Sequence, residues 1–322
     1  MKVLFGRQQI SAALSFDQLA AYLPGWEIAG CAPDEVADHL DDVDVICPFG
    51  AKIGAQVISG GSFGLVHQFG VGLDRVDIAT ATRLGVLVAR VPGDVSGNAD
   101  SCAELAVLHL LALFRRLDES RAALAESRWP HRPVGRSLLG TTVLIVGLGA
   151  IGAALASRLA PFGPRLLGVR ARPELGGPAG VELVAGPDQL PGLLAQSDAV
   201  MCCAVLHDGN AGMFGQAEFA AMRPGAVFIN VARGGLVDEA ALLAALESGQ
   251  VGAAGLDVFS HEPADPQSPL IPHPNVIATP HVGWHTEFMF RQTGEAFAAN
   301  LMRYSRGEQP LWTVNSPAMR RS

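Results

Sequence analysis

Short, mostly apolar runs alternate with polar, helix-length stretches through the first hundred positions: Val3–Phe5, Val43–Cys47, Leu65–Phe69 and Val86–Val88, with a helical pattern over Ser15–Tyr22. Apolar runs of this length bounded by turn residues read as buried strands, and helices between them make parallel crossovers. The pattern predicts an open parallel sheet. From Asn98 the period changes to that of a helix, carried by Cys102, Leu105, Ala106, Leu108, Leu110, Leu111 and Phe114, with Ser101 and Glu104 spaced as a cap. This helix is expected to link two domains. A polar, proline-bearing loop follows around Arg128 to Arg136. A second strand series then opens at Thr142–Val146 and continues at Leu166–Val169, Ala199–Cys203, Val227–Val231, Gly255–Val258 and Val276–Thr279. Six strands with intervening helices predict a complete doubly wound sheet. A last helix, from Thr286 to Tyr304, precedes a polar tail too short for a domain.

Composition narrows the class. A length of 322 residues suggests about two domains. Charged residues are 17% of the chain, below the roughly 25% of an average soluble protein, and 37 residues are glycine. The formal net charge is −8, with the basic residues scattered, so nonspecific binding to nucleic acid is disfavoured. Five cysteines, an odd number without CxxC spacing, argue against a disulfide framework and against a zinc site, so no metal is expected and a reducing cytoplasm fits best. The N-terminus, MKVLFGRQQI, lacks a signal-peptide pattern and reads as a first strand. The uncharged stretch from Leu138 to Ser157 has the length of a membrane span, but its four glycines suit a strand, tight turn and helix instead.

That turn carries the first chemistry. Val143–Val146 leads directly into Gly147-Leu148-Gly149-Ala150-Ile151-Gly152, and a helical run over Ala153–Ala160 follows. A GxGxxG between strand and helix is the dinucleotide-binding context: the first glycine permits the turn, the second lets backbone approach a pyrophosphate, and the third lets helix pack on strand. The helix N-terminus attracts the phosphate charge. The fold class expected is α/β, with two Rossmann-like doubly wound parallel-sheet domains, the second carrying the dinucleotide turn.

A strand ending about 20 residues beyond the glycines should present a carboxylate if the adenine ribose of NAD is to be gripped. Here it ends Leu167-Gly168-Val169-Arg170-Ala171-Arg172. Arginine suits a 2′-phosphate, because its planar fork bonds phosphate oxygens in pairs. NADP is therefore the expected cofactor, with NAD also possible. Three further segments stand at or beyond predicted strand ends, where ligands bind in such sheets. They are Asn230-Val231-Ala232-Arg233-Gly234-Gly235, Leu256-Asp257-Val258-Phe259-Ser260-His261-Glu262-Pro263 and Thr279-Pro280-His281-Val282-Gly283-Trp284-His285-Thr286. Singly, Arg233, Glu262 and His281 have structural readings. Together they supply what reduction of a 2-oxo acid needs: a cation for the carboxylate, a proton donor for the carbonyl oxygen, and a carboxylate to keep the donor charged.

With these segments, Gly70-Val71-Gly72-Leu73-Asp74-Arg75-Val76-Asp77 and Asn98-Ala99-Asp100-Ser101-Cys102-Ala103-Glu104 included, the sequence resembles the D-isomer-specific 2-hydroxyacid dehydrogenase family along almost its whole length. The resemblance implies that Arg233 binds and polarises the substrate, that Glu262 pairs with His281, and that His281 is the acid/base, with His261 and His285 as neighbours only. It implies a cofactor set of Gly147, Gly149, Ala150, Ile151, Gly152, Cys203, Val231, Asp257 and Gly283 beside Arg170 and Arg172. It implies a discontinuous substrate domain (1–98 and 286–322) beside a dinucleotide-binding domain (99–285), in which Asp257 would help to place the nicotinamide. Backbone amides near Val71 and Gly72 would hold the substrate carboxylate, and Phe49, in Cys47-Pro48-Phe49-Gly50, would face its side chain.

One departure is visible. Where the family usually has a Leu-Pro-Leu-Thr type loop beside the cofactor, this chain reads Cys203-Ala204-Val205-Leu206-His207-Asp208-Gly209-Asn210. Cys202 and Cys203 are expected as buried strand residues rather than nucleophiles.

The expected activity is NADPH-dependent reduction of glyoxylate, hydroxypyruvate or phenylpyruvate to the D-2-hydroxy acid. Phosphoglycerate dehydrogenation is less favoured, because phosphate wants extra cations and the larger members carry a further C-terminal domain. Formate oxidation is disfavoured because variants for that reaction have an amide where Glu262 stands. A rival from another class is a non-enzymatic, dinucleotide-sensing binding protein of corepressor type. A homodimer formed through the cofactor domain is expected, and Trp129 matches a tryptophan that the family places near that interface.

Overall fold

β-Branched and leucine-rich runs with apolar side chains on both faces form strands that must be covered on both sides, which only a parallel sheet between helix layers provides. The computed structural model of the chain describes residues 1–129 and 132–321. It divides into two units, Met1–Asn98 with His285–Ser322, and Ala99–Trp284.

The first unit holds β1 (Lys2–Phe5), β2 (Glu27–Gly30), β3 (Val45–Cys47), β4 (Leu65–Gln68) and β5 (Leu87–Arg90). They are parallel throughout, in the order β2-β1-β3-β4-β5. Helices α1 (Phe16–Ala20), α2 (Ala55–Gly60) and α3 (Ile78–Arg83) cross between them. A C-terminal helix, Glu287–Ser305, returns to this unit and inserts Phe297 among Phe5, Phe69 and His67.

The second unit opens with α4 (Asn98–Phe114) and α5 (Leu117–Ala125). Its strands are β6 (Thr142–Val146), β7 (Arg165–Val169), β8 (Val181–Ala185), β9 (Ala199–Cys202), β10 (Ala226–Asn230), β11 (Val251–Leu256) and β12 (Val276–Ala278). All are parallel, in the order β12-β11-β10-β9-β6-β7-β8. The order reverses between β6 and β9, and that switch point is where a doubly wound sheet leaves a crevice beyond its strand ends. The glycine turn follows β6 at that place, and α6 (Ala150–Leu159) runs on from it.

The sequence reading needs four corrections. Two edge strands escape it. Both β2 and β8 are partly exposed and carry a glutamate, so neither shows an apolar run. The strand expected at Gly255–Val258 is Val251–Leu256, because its residues Gly252, Ala253 and Ala254 carry no branched side chains to signal it. Ser101 and Glu104 do not cap α4 but lie inside it, where Ser101 is buried and Glu104 pairs with Arg158. Finally, α6 begins at Ala150 rather than Ala153, so Ala150, Ile151 and Gly152 form its first turn. Of the expected loop from Arg128 to Arg136, residues 130 and 131 lie outside the described residues. No helix among the described residues is long and apolar enough to cross a membrane.

Candidate active site

In the second unit, the glycine turn is shaped by what a side chain would strike. Gly147 has φ of 101°, and a Cβ there would come within 2.5 Å of the Ala204 nitrogen and 2.6 Å of the Cys203 carbonyl carbon. A Cβ on Gly152 would overlap the Gly147 carbonyl oxygen. Gly149 differs, because a Cβ there would meet nothing within 4 Å. The space beside the α6 N-terminus is therefore open at the glycine that, in the dinucleotide-binding pattern, lets the backbone approach a pyrophosphate. The residues present fit a dinucleotide pyrophosphate.

Arg170 follows β7 directly, and its Nη1 donates to the Gly176 carbonyl at 2.7 Å, leaving four other N–H donors. Arg172 is exposed two residues on. Neither makes an ion pair among the described residues. Both stand at the strand end where an adenine ribose substituent is read. Across the switch point, Cys203 follows β9 and is buried, as are Cys102 and Cys202. Burial pushes the Cys102 and Cys202 thiols up to about 12 and Cys203 well above the ordinary thiol value, so none is a thiolate nucleophile near neutral pH. The Cys203–Asn210 loop leaves Val205 82% exposed, while Leu206 packs against Gly235.

The remaining groups gather at the ends of β10, β11 and β12. Asn230, buried at the end of β10, accepts from the Ala232 amide at 3.0 Å and donates to the Arg233 carbonyl at 3.0 Å, which fixes the turn carrying Val231 and Arg233. Gly234 presses against the backbone of Phe259 so closely that a Cβ would overlap the Phe259 carbonyl. This contact brings the Arg233 turn to the loop that carries Glu262. The Glu262 Oε1 accepts from the Phe259 amide at 3.2 Å, and its Oε2 lies 2.7 Å from Nδ1 of His281. Burial pushes the Glu262 carboxyl up, but the His281 hydrogen bond and charge, the Phe259 amide and the Arg233 guanidinium together outweigh it. The carboxyl ends below the usual glutamate range.

His281 has φ of 53°, the left-handed region, which costs a residue with a Cβ about 1–2 kcal/mol. Two backbone bonds hold it there, from its amide to the Asp257 carbonyl at 2.8 Å and to the Thr279 carbonyl at 3.0 Å. The Asp257 side chain, 1% exposed, completes the anchor. Its Oδ1 accepts from Thr279 Oγ1 at 2.6 Å and from the Val282 amide at 2.9 Å, and its Oδ2 accepts from the Gly283 amide at 2.8 Å. A Cβ on Gly283 would lie 2.9 Å from that Oδ2 and 3.3 Å from the Cys102 sulfur, so the position is closed to a side chain. With Nδ1 engaged by Glu262, the other ring nitrogen of His281 is the one able to meet a reactant. His261 is exposed, and His285 stacks edge-on against Phe290 in the first unit.

The structure thus brings Arg233, Glu262, His281 and Asp257 together within one unit. Sequence reasoning missed Asn230, Thr279 and His109 as contributors. A polar residue at a strand's end was the signal for the first two.

In the first unit, Phe49 and Gly72 are joined by one side chain that sequence reasoning also missed, and Val71 is held by a second. Gln68 accepts from the Phe49 and Phe69 amides, both at 3.2 Å, and donates to the Gly72 carbonyl at 2.8 Å, while Arg90 donates to the Val71 carbonyl at 3.1 Å. The Phe49 ring packs 5.3 Å from Phe69, with the Arg7 guanidinium 5.1 Å over it. Among the described residues no cluster suited to a metal ion occurs.

Comparison with known proteins places the chain in a family. Residues 107–283 match the family model for the D-isomer specific 2-hydroxyacid dehydrogenase NAD binding domain. The chain is 34% identical to D-3-phosphoglycerate dehydrogenase of Rattus norvegicus over 291 residues, 89% of this chain and 53% of that protein. It is 34% identical to glyoxylate reductase of Korarchaeum cryptofilum over 264 residues, 80% of this chain and 77% of that one. It therefore spans about half the length of the phosphoglycerate dehydrogenases it matches. The NADPH-dependent glyoxylate/hydroxypyruvate reductase of Sinorhizobium meliloti, solved with NADP and malonate, superposes with a TM-score of 0.82 at 27% identity, covering 100% of this chain and 98% of that one. The glycine turn at the switch point of an all-parallel sheet and the extent of these matches lead to one assignment: the chain belongs to the D-isomer specific 2-hydroxyacid dehydrogenase family.

Proposed function

We propose that the protein reduces a small 2-oxo acid to the D-2-hydroxy acid with NADPH. The observation that carries this reading is the 2.7 Å Glu262–His281 pair held beside the Arg233 turn at the C-terminal ends of β10, β11 and β12. A bound nicotinamide would supply the hydride that goes to the carbonyl carbon. The proton for the carbonyl oxygen comes from His281, whose Nδ1 is held by the Glu262 carboxylate. Arg233 binds the substrate carboxylate through its planar fork.

The pyrophosphate rests against Gly147, Gly149, Ala150, Ile151 and Gly152, with Cys203, Val231, Asp257 and Gly283 along the rest of the dinucleotide. Arg170 and Arg172 take the 2′-phosphate. Val71 and Gly72 amides are proposed for the substrate carboxylate, on the family resemblance and on the Gln68 and Arg90 bonds that fix their loop. Phe49 is proposed beside the substrate side chain. Its ring is already engaged by Phe69 and Arg7, which supports glyoxylate or hydroxypyruvate ahead of phenylpyruvate.

The five free, buried cysteines support a reducing cytoplasm. Trp129, 68% exposed on its own chain, supports a homodimer through the cofactor-binding unit. The test is NADPH oxidation measured over glyoxylate, hydroxypyruvate, pyruvate and phenylpyruvate. Turnover of the first two is expected, and tight NADPH binding without turnover of any refutes the reading.

A further inference from the structure

Among the described residues, one buried side-chain nitrogen has no hydrogen-bond partner, Nδ1 of His109. His109 stands on α4, 1% exposed, against Gly255 of β11, where a Cβ would come 2.8 Å from the His109 Cβ and 3.0 Å from Nδ1. Burying an unpaired acceptor destabilises a fold, and a leucine or methionine would occupy similar space without one. The other ring nitrogen supplies a reason for the histidine. Its Nε2 lies 3.4 Å from Thr279 Oγ1, and that oxygen lies 2.6 Å from Asp257 Oδ1. A carboxylate only accepts, so the threonine hydroxyl donates to Asp257 and turns its lone pairs to Nε2. The imidazole is therefore the Nε2–H tautomer and donates to Thr279. Burial holds His109 below the ordinary histidine value against the opposing pull of Asp257, which keeps the ring neutral in that role.

We propose that His109 is a positioning residue of the active site: its Nε2–H orients the Thr279 hydroxyl onto Asp257, and through that carboxylate fixes the Val282 and Gly283 amides and the left-handed turn at His281. The proposal rests on the reading of His281 as the proton donor. Every link lies within the second unit. The chain runs from α4 to Thr279, to Asp257, and to the segment whose histidine must stay 2.7 Å from Glu262. Since φ of 53° is unfavourable for histidine, the turn relaxes toward ordinary conformations when its anchor loosens. Loosening would cost proton-transfer geometry before it cost substrate binding, so it should reach kcat rather than KM.

Three variants test this. His109→Leu removes the donor and the orphan nitrogen together, with His109→Met in its place if leucine does not fold. His109→Gln keeps an Nε2–H donor at similar reach. Thr279→Val removes the next link. In His109→Leu, Tm is expected at or above that of the unmodified protein, while deuterium exchange at the His281, Val282 and Gly283 amides speeds up about tenfold. The kcat for 2-oxo acid reduction falls about tenfold at nearly constant KM, and His109→Gln restores both. In a Thr279→Val background, His109→Leu adds nothing. Unchanged exchange at those three amides in His109→Leu, or full additivity with Thr279→Val, overturns the proposal. Amide exchange decides it whatever the substrate is, so a protein without turnover would refute the dehydrogenase reading and leave this test standing.

Discussion

Nδ1 of His281 and Oε2 of Glu262 lie 2.7 Å apart, although 19 residues separate them, and each is held from behind. Glu262 receives the Phe259 amide, and His281 is fixed by Asp257. The carboxylate orients the ring and leaves the other ring nitrogen to a reactant. Glu262→Gln is expected to lower kcat for 2-oxo acid reduction about tenfold or more, and His281→Ala to lose about 10²–10⁴-fold. A kcat of the glutamine variant that matches the unmodified protein contradicts the pairing.

The same pair carries a stability expectation. The folded Glu262 carboxyl lies below its ordinary value, so its contribution is present above the unfolded carboxylate range, near about 4.3. It is lost as pH falls through the lower folded value. Denaturant midpoints of the unmodified protein should therefore drop on acidification through this window more steeply than those of Glu262→Gln. Parallel curves would show that the pair does not couple to folding.

Arg233 should act on substrate rather than on fold. Lysine replaces a planar fork with a point charge, so Arg233→Lys is expected to lower kcat/KM at least tenfold while Tm and NADPH affinity stay close to those of the parent. Early unfolding with intact kinetics would make the residue structural.

The glycines separate folding from ligand binding. Gly149→Ala places a methyl in open space, so Tm should hold while dinucleotide affinity, read by fluorescence titration, falls. Gly234→Ala drives a methyl into the Phe259 backbone, and a cost of about 1–3 kcal/mol or more is expected in chemical unfolding. Equal Tm losses in the two variants would contradict this division.

On the proposed reading, cofactor choice rests on Arg170. One charge-assisted bond contributes about 1.5–3 kcal/mol, and about 1.4 kcal/mol is tenfold, which predicts about tenfold to a hundredfold preference for NADPH in kcat/KM. Arg170→Asp should remove or invert it, mostly through KM for the cofactor. Equal kcat/KM for NADH and NADPH in the unmodified protein ends the argument.

Much of this was legible in the chain, because the signals are local. A buried parallel strand needs an apolar run, a pyrophosphate turn needs glycines at fixed offsets, and both are visible without knowing what lies opposite. So β6, the glycine turn and α6 stand in the sequence almost as they fold, and Arg233, Glu262 and His281 stand out by their place after strand ends. The edge strands β2 and β8 were not legible, since an edge tolerates exposed, mixed residues. Nor was β11, whose small residues are chosen by what presses on them: His109 meets Gly255, and the Gly225 backbone lies where a Cβ on Gly252 would go. Only the tertiary structure decided that Gly234 and Phe259 touch, that His281 is left-handed, and that His109 reaches Asp257 through Thr279 over a separation of 170 residues in sequence. Such relations depend on distances between elements remote along the chain, and hydrophobic periodicity carries no information about them.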